Sequence, residues 1–334
     1  MFDRSDLTDQ RRRNRVLRFV PRLGVIGPVR RHAAQAALGL RALGADRRLR
    51  ERGLQVENRV ARIDGEDVRL RIIRPASPRG ILIDIHGGAW AIGSAKMDDP
   101  LNAAIAGRCG LTAISIDYRL ALPRTIPELQ RECLAAMRWI LTQPEFASGP
   151  VLVTGESAGA HLALSCLVRL KAEPPLLARV AGALLHYGAY DLGGSDSARG
   201  AGRDTLVLHG PTLERQIQHL LPGLTPEQRR APALSPVFDD LSGLPPMLVM
   251  TGDIDPLRDD SYLLVRRLQE AGNRVTLEIL PEAPHGIIHF GGRYAEKVRW
   301  RGQDWLISRM RDAARTTPPT ANAESETFRA ASAH

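Results

Sequence analysis

Ser157 sits in the pentapeptide Gly155-Glu156-Ser157-Ala158-Gly159, after the apolar run Val151-Leu152-Val153 and before an apolar helical pattern through Ala160, Leu164, Leu167 and Val168. Strand, sharp turn and helix around G-x-S-x-G force the serine backbone into a strained conformation and hold its hydroxyl clear of the sheet. Strand and helix nearly touch there, so the residues two positions to either side must be tiny, as Gly155 and Gly159 are. A serine hydroxyl is a poor nucleophile until a base takes its proton and a third group orients that base. Without a base, an acid and an oxyanion site elsewhere in the chain, the pentapeptide is a plain glycine-rich turn.

The chain has nine histidines. His285, in Glu282-Ala283-Pro284-His285-Gly286, follows the last apolar run, where a loop can carry it over the carboxyl edge of a sheet. His161 lies one turn beyond Ser157 and reads as a packed, hydrogen-bonded core histidine, while His186 precedes every candidate acid. The acid belongs at the end of the preceding strand, where Asp253 and Asp255 both stand. Pro256 stiffens the turn after Asp255, which favours Asp255 and leaves Asp253 as the alternative. His86-Gly87-Gly88-Ala89-Trp90 follows the run 81–85 directly. Consecutive glycines let backbone N–H groups converge on a substrate oxygen, and such donors are worth about 3–4 kcal/mol each to a transition state. Gly87 and Gly88, with the N–H of Ala158, would form the oxyanion hole, and His86 would anchor the loop.

Positioning these groups requires a sheet. Residues 55–74 alternate in part around Asp64-Gly65 and predict two strands joined by a tight turn. Apolar runs at 81–85, 111–116, 151–153, 180–185, 247–250 and 275–280 predict six more. Helical patterns at 99–109, 126–142, 157–171, 259–272 and 293–314 alternate with them, which implies a mostly parallel, eight-stranded sheet covered on both faces. The first two strands would be its antiparallel edge. Residues 1–50 read as two helices, the first capped by Asp6 or Thr8 and running through Arg18, the second from Pro28 through Leu43 to a stop at Gly44. Residues 192–233 carry no clear strand but a helical run near 206–221. They read as an insertion forming a cap with 1–50, dividing the core into 51–191 and 234–315. Residues 316–334 are small and polar and predict a disordered tail.

The chain of 334 residues carries a formal net charge of +9. Residues 1–50 hold thirteen arginines against four aspartates, so this excess belongs wholly to the N-terminal segment. A basic surface across the whole domain, as for nucleic-acid binding, is therefore not expected. No apolar stretch reaches the roughly 18–20 residues of a membrane span. Arg18, Pro21 and Arg22 interrupt the apolar region that a signal peptide needs after Arg11-Arg12-Arg13. Cys109, Cys133 and Cys166 are odd in number and far apart, so they read as core residues in a reducing compartment, the cytoplasm, and not as a disulfide frame or metal site.

Four pieces together resemble the hormone-sensitive-lipase-like branch of the α/β-hydrolases, a bacterial family of carboxylesterases. They are His86-Gly87-Gly88-Ala89-Trp90 against H-G-G-G-[FW], Asp117-Tyr118-Arg119-Leu120-Ala121 against D-Y-R-L-A-P, Gly155 to Gly159 against G-[DE]-S-A-G, and Asp255-Pro256-Leu257 with His285-Gly286 against D-P-L…H-G-F. The order Ser157, Asp255, His285 is that of an α/β-hydrolase. The resemblance spans about 55–314. It implies an α/β-hydrolase fold with a two-part cap and hydrolysis of short-to-medium acyl esters without cofactor or metal. It also implies a homodimer through the last strand and helix, about 275–314, while the charge distribution and the lack of a long apolar stretch predict neither a nucleic-acid partner nor stable membrane insertion. Three positions depart from the pattern. Ala89 replaces a glycine, which would crowd the alcohol side of the pocket. Leu122 replaces a proline and alters the loop through Pro123, and Ile287 replaces a phenylalanine. Ala89, Trp90, Glu156, Tyr187 and Tyr190 are candidate pocket residues, with ordinary packing the alternative for each. The same machinery would cleave amides, formamides or carbamates. A non-catalytic small-molecule receptor on this fold is a further alternative, against which the presence of His285 speaks, and tethering through the basic N-terminus is another.

Overall fold

In a computed structural model, which describes residues 2–19, 27–63, 65–121, 124–202 and 204–316, eight strands form one sheet in the order β1-β2-β4-β3-β5-β6-β7-β8. The strands are β1 (Gln55–Ile63), β2 (Glu66–Arg74), β3 (Ile81–Ile85), β4 (Thr112–Asp117), β5 (Val151–Glu156), β6 (Val180–His186), β7 (Met247–Gly252) and β8 (Val275–Leu280). β1 and β2 form a hairpin, and β2 pairs antiparallel with β4; every pairing from β4 to β8 is parallel. β3 is buried at every position and β5 likewise, as continuous apolar runs in a doubly covered sheet require.

Three expectations need correction, one at strand β5 and two at the N-terminus. β5 does not stop at Val153 but pairs with β6 through Glu156, so the strand delivers the chain directly to Ser157. Helix α1 (Arg4–Leu17) is capped by Asp3, not by Asp6 or Thr8. The Asp3 carboxylate accepts from the N–H of Ser5 and Asp6, and the Asp6 carboxylate accepts from the N–H of Asp3. Helix α2 (Pro28–Arg41) ends before Gly44, and a third helix, α3 (Ala45–Glu51), starts at once beyond it. Gly44 has φ +68°, so the chain turns there and resumes helix in a new direction.

The remaining helices fall where the periodicity places them: α4 (Asp99–Cys109), α5 (Ile126–Thr142), α6 (Ala158–Arg169), and later helices at Arg258–Glu270 and Arg293–Thr316. Two apolar clusters lie on the sheet's two faces. One includes Ile83, Ile114, Val153 and α5–α6 side chains, and the other Leu82, Leu152, Leu248 and residues of the last helix. The insertion carries helices Asp196–Gly200, Gly210–Leu220 and Pro226–Arg229 and, among its described residues, no strand. Buried Asp260 roots it, accepting from the N–H groups of Tyr190 and Asp191 and from the Ser195 hydroxyl. Helix α1 buries a polar face of Asp6, Gln10 and Asn14. Asn14 donates to the carbonyl of Glu282, Arg11 pairs with the Glu282 carboxylate, and Asp6 pairs with Lys297. The N-terminal helix thus braces the loop that carries His285. Residues 317–334, where the sequence predicts a tail, and Leu122 and Pro123 lie outside the described residues.

Candidate active site

Ser157 occupies the turn between β5 and α6 with φ 54° and ψ −120°, a region L-residues rarely adopt. Its N–H donates to the carbonyl of His186 at 2.9 Å, which ties the turn to β6. A Cβ on Gly159 would lie 1.9 Å from the carbonyl oxygen of Ile85, and one on Gly155 2.6 Å from that of Gly159. Neither contact is tolerable, so both flanking positions exclude any side chain. Among the described residues, six non-glycine residues have positive φ, and five of them (Ala89, Trp90, Ser157, Tyr187 and Glu282) lie in the loops and strand ends around this serine.

His285 and Asp255 meet Ser157 although 128 and 98 residues separate them from it along the chain. His285 Nε2 stands 3.0 Å from Ser157 Oγ, and Nδ1 stands 3.1 and 3.0 Å from the two oxygens of Asp255. The Leu257 N–H donates to Asp255 Oδ1 at 2.8 Å and fixes the carboxylate, as the turn at Pro256 predicts. Asp253 makes no such contact, so Asp255 is the partner. Both Asp255 and His285 are buried. Burial opposes a charged imidazole, but the charge and hydrogen bond of Asp255, with the charge of Glu156, outweigh it. The His285 pKa is therefore raised above the ordinary value of 6.5. The ring of Tyr187 packs edge-on against the imidazole at 4.8 Å. Geometry of this kind can withdraw a proton from Ser157 Oγ and stabilise the resulting imidazolium.

His86 anchors its loop as expected. Its ring stacks on Tyr118, whose hydroxyl donates to the His86 carbonyl at 3.0 Å. The loop itself departs from expectation at Gly87. Its N–H donates to Glu156 Oε1 at 3.0 Å and is not free for a substrate oxygen. A Cβ on Gly87 would sit 2.2 Å from that same oxygen, so only glycine lets the carboxylate approach. Gly88 and Ala89, both at positive φ, donate their N–H groups to no described residue, and Ala158 is the first residue of α6, where no intrahelical acceptor exists. The glycine pair in the sequence marks the loop but not which of its amides is spent.

Glu156 turns away from the substrate side. Its buried carboxylate faces Gly87 and His289 Nε2 (3.3 Å), and Asp98 lies 3.7 Å from the same nitrogen. Burial works against the Glu156 charge, yet its interactions with His289 and His285 and the Gly87 N–H prevail, lowering its pKa to about 2. Asp98 is buried without a hydrogen-bond partner among the described residues, and burial with the neighbouring carboxylates raises its pKa well above the usual range. A cavity of about 40 Å³ adjoins this cluster. His289 and Asp98 carry no motif that the sequence could have flagged.

Other candidate pocket residues are committed to packing. Trp90 is buried, and its indole N–H donates to His161 Nδ1 at 3.2 Å, with His161 Nε2 2.7 Å from the carbonyl of Leu234. Tyr190 is buried against Gly188, where a Cβ would meet its ring at 2.2 Å. Neither faces an open space. A cleft of about 830 Å³ lies between α1, the insertion and the turn at Asp255–Arg258, on the acid's side of the triplet and not against Ser157 itself. No helix among the described residues is long and apolar enough to cross a membrane.

Residues 82–289 match the family described as having the alpha/beta hydrolase fold. The chain is similar to an acetyl-hydrolase of Streptomyces hygroscopicus, 32% identical over 64% of this chain and 70% of that protein. It is also similar to a carboxylesterase of Mycobacterium tuberculosis, 30% identical over 71% of this chain and 76% of the relative. Among solved structures, a bacterial heroin esterase superposes with a TM-score of 0.79 at 26% identity, covering 92% of this chain and 97% of that one. The matched span, the eight-stranded sheet and these relatives place the chain in the hormone-sensitive-lipase-like branch of the α/β-hydrolase family.

Proposed function

We propose that the chain is a carboxylic ester hydrolase that works through an acyl-enzyme on Ser157. The observation that carries this reading is the unbroken series Asp255, His285, Ser157, with both links within hydrogen-bonding distance. His285 takes the Ser157 proton as Oγ attacks the ester carbonyl. Asp255 holds the ring with Nδ1–H inward and stabilises its charge. The tetrahedral oxyanion is received by the N–H groups of Gly88, Ala89 and Ala158, with Gly87 kept in place by Glu156. His285 then protonates the leaving alcohol, and water activated by the same imidazole releases the acid.

The names of the relatives, acetyl-hydrolase, carboxylesterase and heroin esterase, support esters as the substrate class, and the first supports a short acyl group. Helices α1 and α2 with residues 192–233 serve as the cap. The three cysteines are unpaired and buried, which supports a cytoplasmic setting. β8 is a sheet edge, and a homodimer would pair there. Hydrolysis of p-nitrophenyl esters from acetate to palmitate, beside the matching p-nitroanilides, tests the reading. Rates that peak at short acyl esters and depend on Ser157 support it. Anilide cleavage outrunning ester cleavage would move the assignment to amides.

A further inference from the structure

Helix α2 has two apolar faces, and only one is used. On the inner side Ala34 and Leu38, together with Ala89, pack against Ala91 and Ile92, and the Gln35 side chain exchanges hydrogen bonds with both backbone groups of Gly93. On the outer side Val29, Ala33, Ala36 and Leu40 follow at spacings of three and four residues, and Leu43 continues the line beyond the helix end. Val29 is 80% exposed, Leu40 68% and Leu43 66%. Val16 and Phe19 are also exposed at the end of α1, the helix that buries polar residues instead. Among the described residues, five of the nine exposed large apolar side chains thus lie in the first 43 positions. Residues 1–50, which include these positions, hold the entire net charge.

Its acidic side chains are already engaged. Asp3 and Asp6 pair with Arg293 and Lys297, Asp9 with Arg13, and Asp46 with buried Arg71. Exposed Arg30 and Arg41 at the two ends of the stripe form no ion pair with a described residue. An apolar line flanked by uncompensated arginines matches one kind of partner, a surface that is apolar within and anionic at its boundary. We propose that the outer face of α2 forms a peripheral docking face for anionic lipid bilayers, lying on the interface without crossing it.

Two other occupants fit less well. A second copy across a two-fold axis would set the arginines of this face against themselves. A nucleic-acid backbone would neutralise the arginines but leave Val29 and Leu40 in water. Docking has a consequence for the site, because the inner face of α2 packs on the loop that carries Gly88 and Ala89. Lipid would lie about one helix diameter, ~10 Å, from that loop, so esters dissolved in or presented by the bilayer become accessible substrates. The binding itself does not rest on the esterase reading.

The test is sedimentation of the full chain with vesicles of phosphatidylcholine alone and of phosphatidylcholine with phosphatidylglycerol. Expected are partitioning at least about tenfold stronger on the anionic vesicles, weakening with added salt, and a further loss of about tenfold in either of two double variants. These are Val29→Ser with Leu40→Ser, and Arg30→Gln with Arg41→Gln. Unchanged hydrolysis of a water-soluble ester and an unchanged melting temperature report that the variants fold. Equal partitioning on neutral and anionic vesicles overturns the proposal. So does the absence of binding, a dimer that the Val29/Leu40 variant dissociates, or a DNA complex that outcompetes the vesicles.

Discussion

Glu156 is the first variable residue of the G-x-S-x-G turn, and its replacement separates positioning of the oxyanion loop from the chemistry of Ser157. In the structure its carboxylate accepts the Gly87 N–H at 3.0 Å in a buried setting and faces His289 at 3.3 Å. With a pKa lowered to about 2 it is ionised throughout the working range. A hydrogen bond to a charged group contributes about 1.5–3 kcal/mol, and Glu156→Ala also leaves the Gly87 N–H buried without an acceptor. That energy holds Gly88 and Ala89 in register. The lower bound on the kinetic effect is then about tenfold, and the upper bound is the loss of one whole oxyanion donor, about 10²–10³-fold. Because the oxyanion exists only on the way to the intermediate, the loss is expected in kcat with KM little changed. Glu156→Gln keeps an acceptor oxygen beside Gly87 and removes only the charge, so it should lose no more than about tenfold. Steady-state hydrolysis of p-nitrophenyl butyrate, with melting curves for each variant, makes the comparison. A folded Glu156→Ala enzyme with wild-type kcat would refute the reasoning, as would equal losses in Ala and Gln.

Other outcomes follow from the same geometry. His285 must be neutral to accept the Ser157 proton, and its pKa is raised, so kcat/KM should climb with pH through an apparent pKa above 6.5. Because the Glu156 charge contributes to that rise, Glu156→Gln should move the limb to lower pH; a limb at or below 6.5 in the wild type would contradict the assignment. The same raised pKa stabilises the fold fully below the unfolded histidine value, and this contribution should fade as pH rises through the folded one, seen as a declining melting temperature on the alkaline side. Asp255→Asn keeps the shape of the acid but cannot stabilise the imidazolium, and kcat should fall by about 10⁴ while the melting temperature changes little. In Gly159→Ala the added methyl would meet the Ile85 carbonyl at 1.9 Å, and a loss of about 3 kcal/mol or more, or failure to fold, is expected from denaturant unfolding.

Much of this arrangement is legible in the sequence because backbone constraints dictate it. Gly155 and Gly159 announce a turn that no side chain can enter, Pro256 announces the rigid seat of Asp255, and the apolar runs announce buried parallel strands. Sequence order alone then brings His285 to the sheet edge where Ser157 stands. What escapes the sequence is set by three-dimensional competition for hydrogen bonds. Gly87 looks like a free donor until Glu156 is seen to occupy it, and Ala89 looks like a steric defect although its backbone N–H is unspent. Trp90 and Tyr190 have the right chemistry for a pocket, but their neighbours bury them. Asp3, not Asp6, caps α1 because Asp6 supplies the reciprocal half of the same box. Asp98 and His289 come together across the fold with no local pattern at all.

Covalent labelling of the nucleophile tests the central assignment most directly. The wild type, Ser157→Ala and His285→Ala would each be incubated with a p-nitrophenyl alkylphosphonate, digested and mapped by mass spectrometry, with release of p-nitrophenol followed in parallel. One phosphonyl group should appear on the peptide that contains Ser157, with stoichiometric nitrophenol release and complete loss of ester hydrolysis. Ser157→Ala should take no label, and His285→Ala should label far more slowly. Label on another residue, or hydrolysis that survives in folded Ser157→Ala, would contradict the assignment.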